Sequence, residues 1–374
     1  MRRGVTIILI IITTLTSERK AIAQYSAVAD SIKTSIMFWN LENYFDPFDD
    51  TLTRDEEFVF GGVKHWTWSR FEKKRNDISK IIVTTHSIFG QYPAFIGLSE
   101  LENYMVLSQL TQKTILSKLG YKIIHQDSHD ERGIDVAALY RPDFLKILSY
   151  RNIEITLPDT SYHTRPILYV KGCLTKTLSP LTVYLLVNHW PSKWGGEEKS
   201  RPNRMAAAKV LRHIKDSLLI NDPNALILAM GDFNDTPYSL PVQYVLKGQN
   251  FHILALEKNQ NKIKTNRRKI EDNSDMVKVY DEDKTIQGTI RYKGNWEQID
   301  IFMVSDALLK ILQKETIENR KSPLDKEYTP MILFDHPYIM EKDATYLGRK
   351  PRRTYIGPIY HGGVSDHLPI IINF

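Results

Sequence analysis

The chain has 374 residues, of which 42% are hydrophobic, 25% charged and 10% aromatic, and its formal net charge is +6. This composition excludes a disordered, collagen-like or low-complexity chain, and the length allows a large core. The single cysteine excludes an intramolecular disulfide, and 50 basic against 44 acidic residues permit an anionic partner without identifying one.

The N-terminal residues have the layout of an export signal. Arg2 and Arg3 precede a short apolar run, and a small-x-small cleavage site ends at Ala23. The run is shorter than a membrane span needs. We therefore expect a signal peptide over residues 1–23 and a secreted or periplasmic mature chain over 24–374, without integral membrane association after cleavage. An uncleaved N-terminal anchor is the alternative.

The first predicted strand of the mature chain is SIMFWN (35–40). It ends in Asn40, and Glu42 follows two residues later. Residues 67–83 then have helical spacing, with apolar side chains on one face. We expect the lysines and arginines of this helix to form its solvated face.

A second strand with the apolar character of a buried one is AFIGLSELEN (94–103), which delivers Glu100. A helix is predicted over 106–119, closed by a glycine. A strand, YKIIHQD, follows it, and the strand after that, GIDVAALYRP (133–142), contains Asp135. An unpaired carboxylate inside a strand is costly, so this residue belongs either to a site or to an ion pair with a neighbouring arginine.

The longest apolar strand opens the segment LTVYLLVNHWPSKWGG (181–196). It ends in Asn188 and His189, and Lys193 stands in the loop that follows. Two glycines give this loop the freedom to approach a ligand closely. A helix that carries several arginines is predicted over 200–219.

The stretch LILAMGDFNDTP (226–237) begins as a buried strand and then delivers Asp232, Asn234 and Asp235 within four residues. Buried carboxylates must be paired, hydrogen-bonded or bound to metal. The simple alternative is an Asp-rich turn that satisfies local backbone groups. We interpret Asp235 as the cap of that turn and the other two side chains as part of a site.

The last third of the chain contains a polar segment and two more strands. Residues 257–285 lack periodicity and are expected to form an exposed excursion within the domain. The strand NWEQIDIFMVS (295–305) carries Asp300 at its centre. Asp366 and His367 directly precede the C-terminal strand.

Several predicted strands thus bring carboxylate, amide or imidazole groups towards one edge of the fold. Each cluster alone can be explained as a turn, but together they predict an α/β sandwich whose loops build one cleft. Oxygen ligands without cysteine suit a hard cation, Mg²⁺ or Mn²⁺, with Ca²⁺ as a further candidate. Two histidines beside carboxylates suit proton transfer at neutral pH.

In order and spacing, seven motifs resemble those of the endonuclease/exonuclease/phosphatase superfamily, which includes deoxyribonuclease I, abasic-site endonucleases, neutral sphingomyelinases and inositol polyphosphate 5-phosphatases. The motifs are FWNLEN (38–43), GLSELEN (97–103), RGIDVAALY (132–140), VNHWPSK (187–193), GDFNDTP (231–237), NWEQID (295–300) and SDHLPI (365–370). The resemblance implies one deoxyribonuclease I-like domain, a four-layered α/β sandwich in which two packed mixed β-sheets are flanked by helices.

The resemblance also implies which residues surround the metal. Glu100 resembles the principal metal ligand, and Asn40 and Glu42 come from the first motif beside it. Asp366 resembles a further acidic residue that contacts metal or water. These four residues are the metal ligands that we expect.

Catalytic roles follow from the same resemblance. His189 and His367 resemble the two histidines that flank the scissile phosphate, and Asp300 resembles the carboxylate partner of His367. Asp232 and Asn234 resemble the pair that orients the attacking water and holds the phosphate oxygens. The implied reaction is a single-step hydrolysis of a phosphate ester.

Further residues are expected to support catalysis or bind substrate. Asp135 is the expected acid behind His189. Contacts to phosphate are predicted for four residues that lie in the loop after the long strand or on the following helix: Asn188, Lys193, Arg201 and Arg204. For the basic ones, a solvated helix face with local ion pairs is the alternative.

The favoured function is a secreted nuclease that cleaves DNA, with RNA as a second candidate. The runs NHWPSKWGG and YKGNWEQID resemble those of bacterial extracellular nucleases in the superfamily. A phosphomonoesterase for inositol phosphates or a phospholipid phosphodiesterase would use the same residues, although the sequence suggests no exposed apolar hairpin of the sphingomyelinase kind. An inactive binding module is the alternative from another class. No stable protein partner is predicted.

Overall fold

The structure is a computed structural model and describes residues 35–176, 180–248, 250–254, 256, 286–318 and 331–373. The expected signal peptide (1–23) and the expected polar excursion (257–285) lie outside the described residues. In the part of the chain that the structure describes, no helix is both long and apolar enough to cross a membrane.

The described residues form eighteen strands and five α-helices, connected by loops and three short 3₁₀ helices. The strands are β1 Ser35–Tyr44, β2 Phe95–Leu101, β3 Lys122–His125, β4 Asp135–Tyr140, β5 Leu145–Ile153, β6 Ile167–Leu174, β7 Leu181–His189, β8 Leu226–Asp232, β9 Phe251–Ile253, β10 Ile290–Tyr292, β11 Asn295–Glu297, β12 Asp300–Ser305, β13 Met331–Leu333, β14 Met340–Lys342, β15 Arg349–Pro351, β16 Tyr355–Ile356, β17 Ile359–Tyr360 and β18 Ile370–Asn373. The α-helices are α1 Trp68–Phe89, α2 Tyr104–Gln112, α3 Glu197–Asn221, α4 Leu240–Leu246 and α5 Asp306–Glu318. The 3₁₀ helices are Glu56–Phe58, Ile115–Leu119 and Pro337–Ile339.

Two six-stranded sheets form the centre of the fold. The first has the strand order β13-β18-β1-β2-β4-β3, and the second has the order β5-β6-β7-β8-β12-β9. Each sheet contains one parallel pair, β1 with β2 and β7 with β8, among antiparallel pairs. Helix α1 provides the crossover for the first parallel pair and α3 for the second, because parallel neighbours need a long connection.

The sheets pack face to face, and helices cover their outer faces. Gly97 of β2 allows Met230 of β8 to approach across the interface, since a Cβ at Gly97 would lie 2.8 Å from the Met230 sulfur. On the second sheet, Leu211 of α3 belongs to a buried cluster with Ile227 and Ile301. Strands that are covered on both faces read as continuous apolar runs, as LILAM does. The predicted four-layered α/β sandwich of two mixed sheets is confirmed.

Several elements differ from the sequence-based expectations. Helix α1 continues to Phe89 and ends at Gly90, whose φ of 73° suits glycine. The helix expected over 106–119 is instead α2 followed by a 3₁₀ helix, because the Thr114 side chain accepts a bond from Leu116 N and starts a new turn. Strands β5 and β6 were not predicted. Asp300 begins β12, since β11 leaves the sheet to pair with β10 in a hairpin.

Candidate active site

The candidate site lies where the parallel strands of both sheets end. In the second sheet, His189 of β7 pairs with Asp232 of β8, and Asp232 pairs with Asp300 of β12. In the first sheet, Asn40 of β1 pairs with Ser99 of β2. The Asn40 side chain crosses to the second sheet and donates to Oδ2 of Asp232 at 3.0 Å, so the two edges meet at one cleft.

Backbone irregularities aim several of these side chains. The β1–β2 register shifts between Asn40 and Tyr44, and the β2–β4 register shifts between Ser99 and Leu101. Left-handed backbone, which is costly for residues other than glycine, occurs within or directly after the strands at Glu42, Asn43, Glu100 and Asn234. Bulges and strained residues concentrate next to active sites because they redirect side chains that a regular strand would point elsewhere.

Glu100 is held at the open edge of this cluster. Its Oε1 accepts from Asn40 Nδ2 at 3.2 Å, and its Oε2 accepts from the Asn43 backbone N–H at 3.0 Å. Oε1 also lies 3.7 Å from His189 Nε2. Asn40 therefore donates to both Glu100 and Asp232 and fixes the two carboxylates relative to each other.

His189 is buried between two carboxylates. Its Nε2 lies 3.7 Å from Glu100 Oε1 and 3.7 Å from Asp232 Oδ2. Burial, together with the nearby guanidinium groups of Arg165 and Arg132, lowers the pKa of His189 well below its usual value. Nδ1 has no hydrogen-bond partner among the described residues. The imidazole is accordingly neutral at physiological pH.

His367 has the opposite protonation preference. Its Nδ1 lies 2.8 Å from Oδ2 of Asp300, and its Nε2 lies 3.8 Å from Oδ2 of Asp232. Although burial opposes it, the charges of Asp300 and Asp232 raise the pKa of His367 well above its usual value. Thr289 Oγ1 accepts from the backbone N–H of Asp300 at 3.1 Å. The expected pairing of His367 with Asp300 is present in the structure.

Asp232 occupies the centre of the site. Its Oδ1 accepts from the Asn234 backbone N–H at 2.8 Å, and the Asn234 side chain donates to Trp190 O at 2.9 Å. Burial raises the pKa of Asp232 to about 7, with the charge of Asp300 adding to this and that of His367 opposing it. A carboxyl group with this pKa can exchange a proton at neutral pH.

The chemistry of these residues fits a divalent metal ion. Oxygens of Glu100 and Asp232 and a ring nitrogen of His189 all lie within 4.8 Å of one another. A second such group combines Asp232, Asp300 and His367. Buried carboxylates that share so small a space are stabilised by a cation, and oxygen-rich donor sets suit hard ions. Glu100 is the most exposed of these carboxylates and lies at the entrance.

Glu42 does not have the arrangement of a metal ligand. Its Oε1 accepts from Arg353 Nε at 2.9 Å, and its Oε2 accepts from the Thr354 backbone N–H at 2.8 Å. One oxygen of Glu42 is thus paired with a guanidinium that compensates its charge, whereas both oxygens of Glu100 accept only from neutral amides, and this pairing argues against the expected role of Glu42. The same guanidinium lies 2.9 Å from Oδ2 of Asp366, and Oδ1 of Asp366 lies 3.8 Å from His367 Nε2. The role of Asp366 at the metal stays a prediction.

Asp135 does not support His189. Its Oδ2 lies 2.8 Å from Nε2 of His125, and its Oδ1 accepts from the Ser128 backbone N–H at 3.1 Å. The expectation is therefore wrong, because the first residue of β4 faces the neighbouring edge strand β3. The alternative, an ion pair of Asp135 with a neighbouring arginine, is not found among the described residues either.

Two of the expected phosphate contacts are structural instead. The Asn188 amide donates to Leu186 O at 3.0 Å and to Met230 O at 3.2 Å. Arg204 is fully buried, and its Nε donates to Oδ2 of Asp235 at 2.7 Å. Neither side chain is available to a ligand. Asp235, expected to cap a turn, is the buried partner of this arginine.

The other two cations lie at the surface. Lys193 Nζ is between 3.7 and 3.9 Å from carboxylate oxygens of Glu197, Asp235 and Glu297, and its side chain is partly exposed. Arg201 forms an ion pair with Glu198 one turn earlier on α3. Lys193 therefore remains a candidate for phosphate contact, whereas Arg201 has the local ion pair that was its alternative reading.

Three cations at the site were not predicted from the sequence. Arg353 holds Glu42 and Asp366, and Arg165 donates to Trp190 O at 2.9 Å while it pairs with Asp130. Lys74 of α1, expected on a solvated face, is buried and donates to Glu42 O at 2.5 Å. Burial lowers the pKa of Lys74 to about 8. The basic run KPRR shortly before SDHLPI was the one available signal for Arg353.

Fold and site together define a hydrolytic centre of the phosphoesterase class, in which acidic side chains that could hold a metal lie between two histidines. The chain belongs to the Endonuclease/Exonuclease/phosphatase family, whose sequence profile matches residues 35–374. The family expected from the seven motifs is thereby confirmed, and with it the general class of phosphate ester hydrolysis.

Solved structures similar to this chain come from animals and bacteria. They include truncated TDP2 of Caenorhabditis elegans, with 16% identity, a TM-score of 0.48 and coverage of 92% of this chain and 97% of that chain. A family protein of Bacteroides thetaiotaomicron has 11% identity, a TM-score of 0.49 and coverage of 92% and 97%. The human Nocturnin catalytic domain with bound sulfate has 13% identity, a TM-score of 0.47 and coverage of 91% and 93%. No curated protein matches the chain in sequence. At this level of similarity the substrate has to be argued from the site itself.

Proposed function

We propose that the protein is a secreted, divalent-metal-dependent nuclease that hydrolyses phosphodiester bonds of DNA, with RNA as a second polymer. One observation supports the proposed hydrolysis of a phosphate ester most directly. Nε2 of His189 and Nε2 of His367 lie 3.7 and 3.8 Å from the same atom, Oδ2 of Asp232. The two imidazoles flank the position that a phosphate would take, and the opposite shifts of their pKa values suit them to different roles in acid–base catalysis.

Asp232 and His367 handle the attacking water in this proposal. The Asn234 N–H donates to Oδ1 of Asp232 and the Asn40 amide donates to Oδ2, whose second lone pair can accept a proton from the water. Asp300 orients His367 so that Nε2–H can donate to a phosphate oxygen. The bond between phosphorus and the leaving oxygen breaks as the water oxygen bonds to phosphorus, and no covalent enzyme intermediate is needed.

His189 and Glu100 face the other side of the phosphate. The neutral His189 can donate a hydrogen bond to a phosphate oxygen or to the leaving group without adding charge. Glu100 and Asp232 would hold Mg²⁺ or Mn²⁺, with Ca²⁺ as a further candidate, and the Asn40 amide positions these two carboxylates by donating to both. When bound, the cation supplies charge neutralisation for the phosphate and the leaving oxygen.

Charge and the N-terminal sequence support the finer part of the proposal. The net charge is +6, Arg132 donates to Asn43 Oδ1 at 3.1 Å beside the site, and the partly exposed Lys193 follows His189 by four residues. A polyanion gains from such cations through counterion release. The basic residues, apolar run and small-x-small site at residues 1–23 support export.

A specific observation favours phospholipid phosphodiesterase as the second candidate. The tip of the β16–β17 hairpin exposes Ile356 and Ile359, the latter by 70%. This corrects the expectation that no exposed apolar hairpin is present. The hairpin adjoins the site because Thr354 precedes it and Ser365 follows it closely, and an apolar tip in that position can contact a lipid surface.

A substrate panel tests the proposal. The chain without residues 1–23 is incubated with Mg²⁺ or Mn²⁺ and supercoiled plasmid DNA, single-stranded RNA, inositol phosphates or sphingomyelin vesicles. We expect plasmid nicking, and His189→Ala should slow it by at least about 100-fold, the usual contribution of a positioned acid–base group. The control His163→Ala removes an exposed histidine and should leave the rate unchanged.

Each alternative predicts a different pattern in this panel. Cleavage of inositol phosphates alone would refute the nuclease but keep the catalytic assignment. Cleavage of sphingomyelin alone would establish the second candidate. No cleavage of any substrate, with His189→Ala indistinguishable from the parent protein, would indicate an inactive binding module.

A further inference from the structure

A cleft of about 210 Å³ adjoins the catalytic residues on the side of the first motif. It lies between the end of β1, the first 3₁₀ helix with the segment that follows it, and the β16–β17 hairpin. Glu42 and Asn43 form its inner wall, and Lys64 and Arg353 contribute cationic groups to its sides. The volume equals that of roughly seven water molecules, enough for a phosphate group with part of its hydration shell.

Arg353 is fixed in the wall of this cleft. Its Nε donates to Glu42, and its Nη2 lies 2.9 Å from Asp366 Oδ2. The next residue is fixed as well, because the Thr354 N–H donates to Glu42 and its Oγ1 accepts from Lys74 at 2.7 Å. The guanidinium is half exposed nonetheless. A group held in this way loses little conformational entropy when a ligand binds.

The acceptors on the cleft wall are satisfied, whereas several donors are not. Both carboxylate oxygens of Glu42 are engaged, and Asn43 Oδ1 accepts from Arg132. Arg353 has five N–H donors, and the described residues accept only from Nε and Nη2, so that Nη1 is unpaired within them.

Lys64 adds a second donor at the outer side of the cleft. Its Nζ donates to Gly357 O at 2.9 Å, lies 5.2 Å above the Tyr355 ring and lies 3.8 Å from the half-exposed carboxylate of Glu57. An ammonium has three N–H donors, and one of them is used by the Gly357 carbonyl. A cleft with surplus donors and satisfied acceptors selects a ligand that is rich in acceptors.

We propose that this cleft is a subsite for a second phosphate of the substrate, next to the phosphate that is hydrolysed. Arg353 binds this second phosphate, and Lys64 adds a donor from the outer side of the cleft. The inference rests on the proposed function. It makes the enzyme selective for diesters that carry a neighbouring phosphate over isolated ones. Arginine suits this role because its planar fork matches two phosphate oxygens.

The test compares thymidylyl-thymidine without a terminal phosphate, with a 5′-phosphate and with a 3′-phosphate. We expect one of the two terminal phosphates to raise kcat/KM by at least about tenfold, the effect of one charge-assisted hydrogen bond. Arg353→Met should abolish this ratio, and Lys64→Met should reduce it. Arg352→Met removes the adjacent, exposed arginine and should preserve the ratio.

Binding provides a readout that does not depend on turnover. Thymidine 3′,5′-bisphosphate should bind the parent protein more tightly in calorimetry than either monophosphate does, and Arg353→Met should remove the advantage. Equal binding of the three nucleotides, or an advantage that survives in both Arg353→Met and Lys64→Met, would overturn the subsite. If no dinucleotide is cleaved but the binding advantage is present, the nuclease proposal fails and the subsite stands.

Discussion

The two histidines of the site differ in charge because of their partners. His367 has a carboxylate 2.8 Å from Nδ1, whereas Nδ1 of His189 has no partner in the described part of the chain. Burial disfavours the charged form of both rings. Only His367 has a carboxylate within hydrogen-bonding distance to reverse this effect on its pKa, because the nearest carboxylate oxygens lie 3.7 Å from His189. One imidazole is therefore a cation and the other is neutral within the same cleft.

This difference predicts how stability depends on pH. Because the folded-state pKa of His367 is raised above its usual 6.5, its pairing with Asp300 stabilises the fold fully below that value and is lost as pH rises through the folded pKa. Asp300→Asn should lower the free energy of unfolding by about 3 kcal/mol at about pH 6 and by less at about pH 9. Urea unfolding of both proteins in a chelator measures this. A cost that grows with pH would contradict the assignment.

The hydrogen bonds of the two acidic motifs predict which carboxylate binds metal. Glu100→Gln should weaken Mn²⁺ binding by at least about 100-fold, because a neutral amide replaces the ligand at the entrance. Glu42→Gln should change it by less than about threefold, since the Glu42 carboxylate is already paired with the Arg353 guanidinium, whereas that of Glu100 accepts only from neutral amides. Calorimetric titration of the two variants measures both constants. Equal losses would restore Glu42 as a ligand.

At the level of single residues, the sequence predicted chemistry better than partners. His367 with Asp300 was expected and is present. Glu42, Asp135 and Arg204 have suitable chemistry but pair with residues of other elements, namely Arg353, His125 and Asp235. No local pattern reports such contacts, because a buried ion pair and a ligand-binding group contain the same residue types.

At the level of elements, the strands set the spacing of the catalytic groups. His189 and Asp232 are opposite one another at the ends of β7 and β8, and Asp300 is opposite Asp232 at the start of β12. Adjacent strands lie about 4.8 Å apart, so register alone brings these side chains within reach of one phosphate. A change that disturbs this register should affect activity and stability together.

Gly231 tests this dependence on register. A Cβ at this position would lie 2.2 Å from the Asn188 backbone oxygen on the neighbouring strand. Gly231→Ala should therefore destabilise the fold by about 3 kcal/mol or more and abolish cleavage. The reason is that the new Cβ would meet the backbone of Asn188, which is held in the sheet and has no room to shift. Gly97→Ala is the matched control, since its Cβ would meet the flexible end of Met230. Thermal unfolding should show a clearly smaller loss of stability for Gly97→Ala than for Gly231→Ala. Equal losses in the two variants would contradict the dependence on strand register.

Elements with strong apolar patterns were predictable, and elements that depend on tertiary contacts were not. LILAM and the strand before His189 were identified because they are apolar on both faces. Strand β5 is mostly exposed, with residues such as Tyr150 on its surface, and therefore lacks that pattern. The separation of β11 from β12 just before Asp300 depends on the hairpin partner β10, which sequence periodicity does not report.

At the level of the whole molecule, the layers predicted from seven motifs agree with the structure, and the distribution of charge could not be predicted from composition. The +6 net charge is spread over buried and exposed groups, and Arg204, Lys74 and Lys215 are buried. These three cations are engaged within the fold and contribute no direct contact to a substrate. This part of the positive charge is therefore not available to a polyanion.

This distribution predicts a modest dependence of DNA binding on salt. The logarithm of KM for plasmid DNA should rise with the logarithm of salt concentration, and each phosphate contact should contribute about 0.9 to the slope. Lys193→Ala should lower the slope by about 1, whereas Arg201→Ala, which removes a residue in a local ion pair, should not change it. Nicking rates at several salt concentrations provide the comparison. An unchanged slope in Lys193→Ala would remove that residue from the binding surface.

The attachment of the β16–β17 hairpin has a consequence for how such enzymes change over generations. Thr354 is fixed to Glu42 at one end, and Ser365 Oγ donates to Asn40 O at the other. The cost of lengthening a loop between fixed ends grows only slowly with its length. Mutations and insertions at the tip can therefore accumulate while His367 and Asp366 keep their positions.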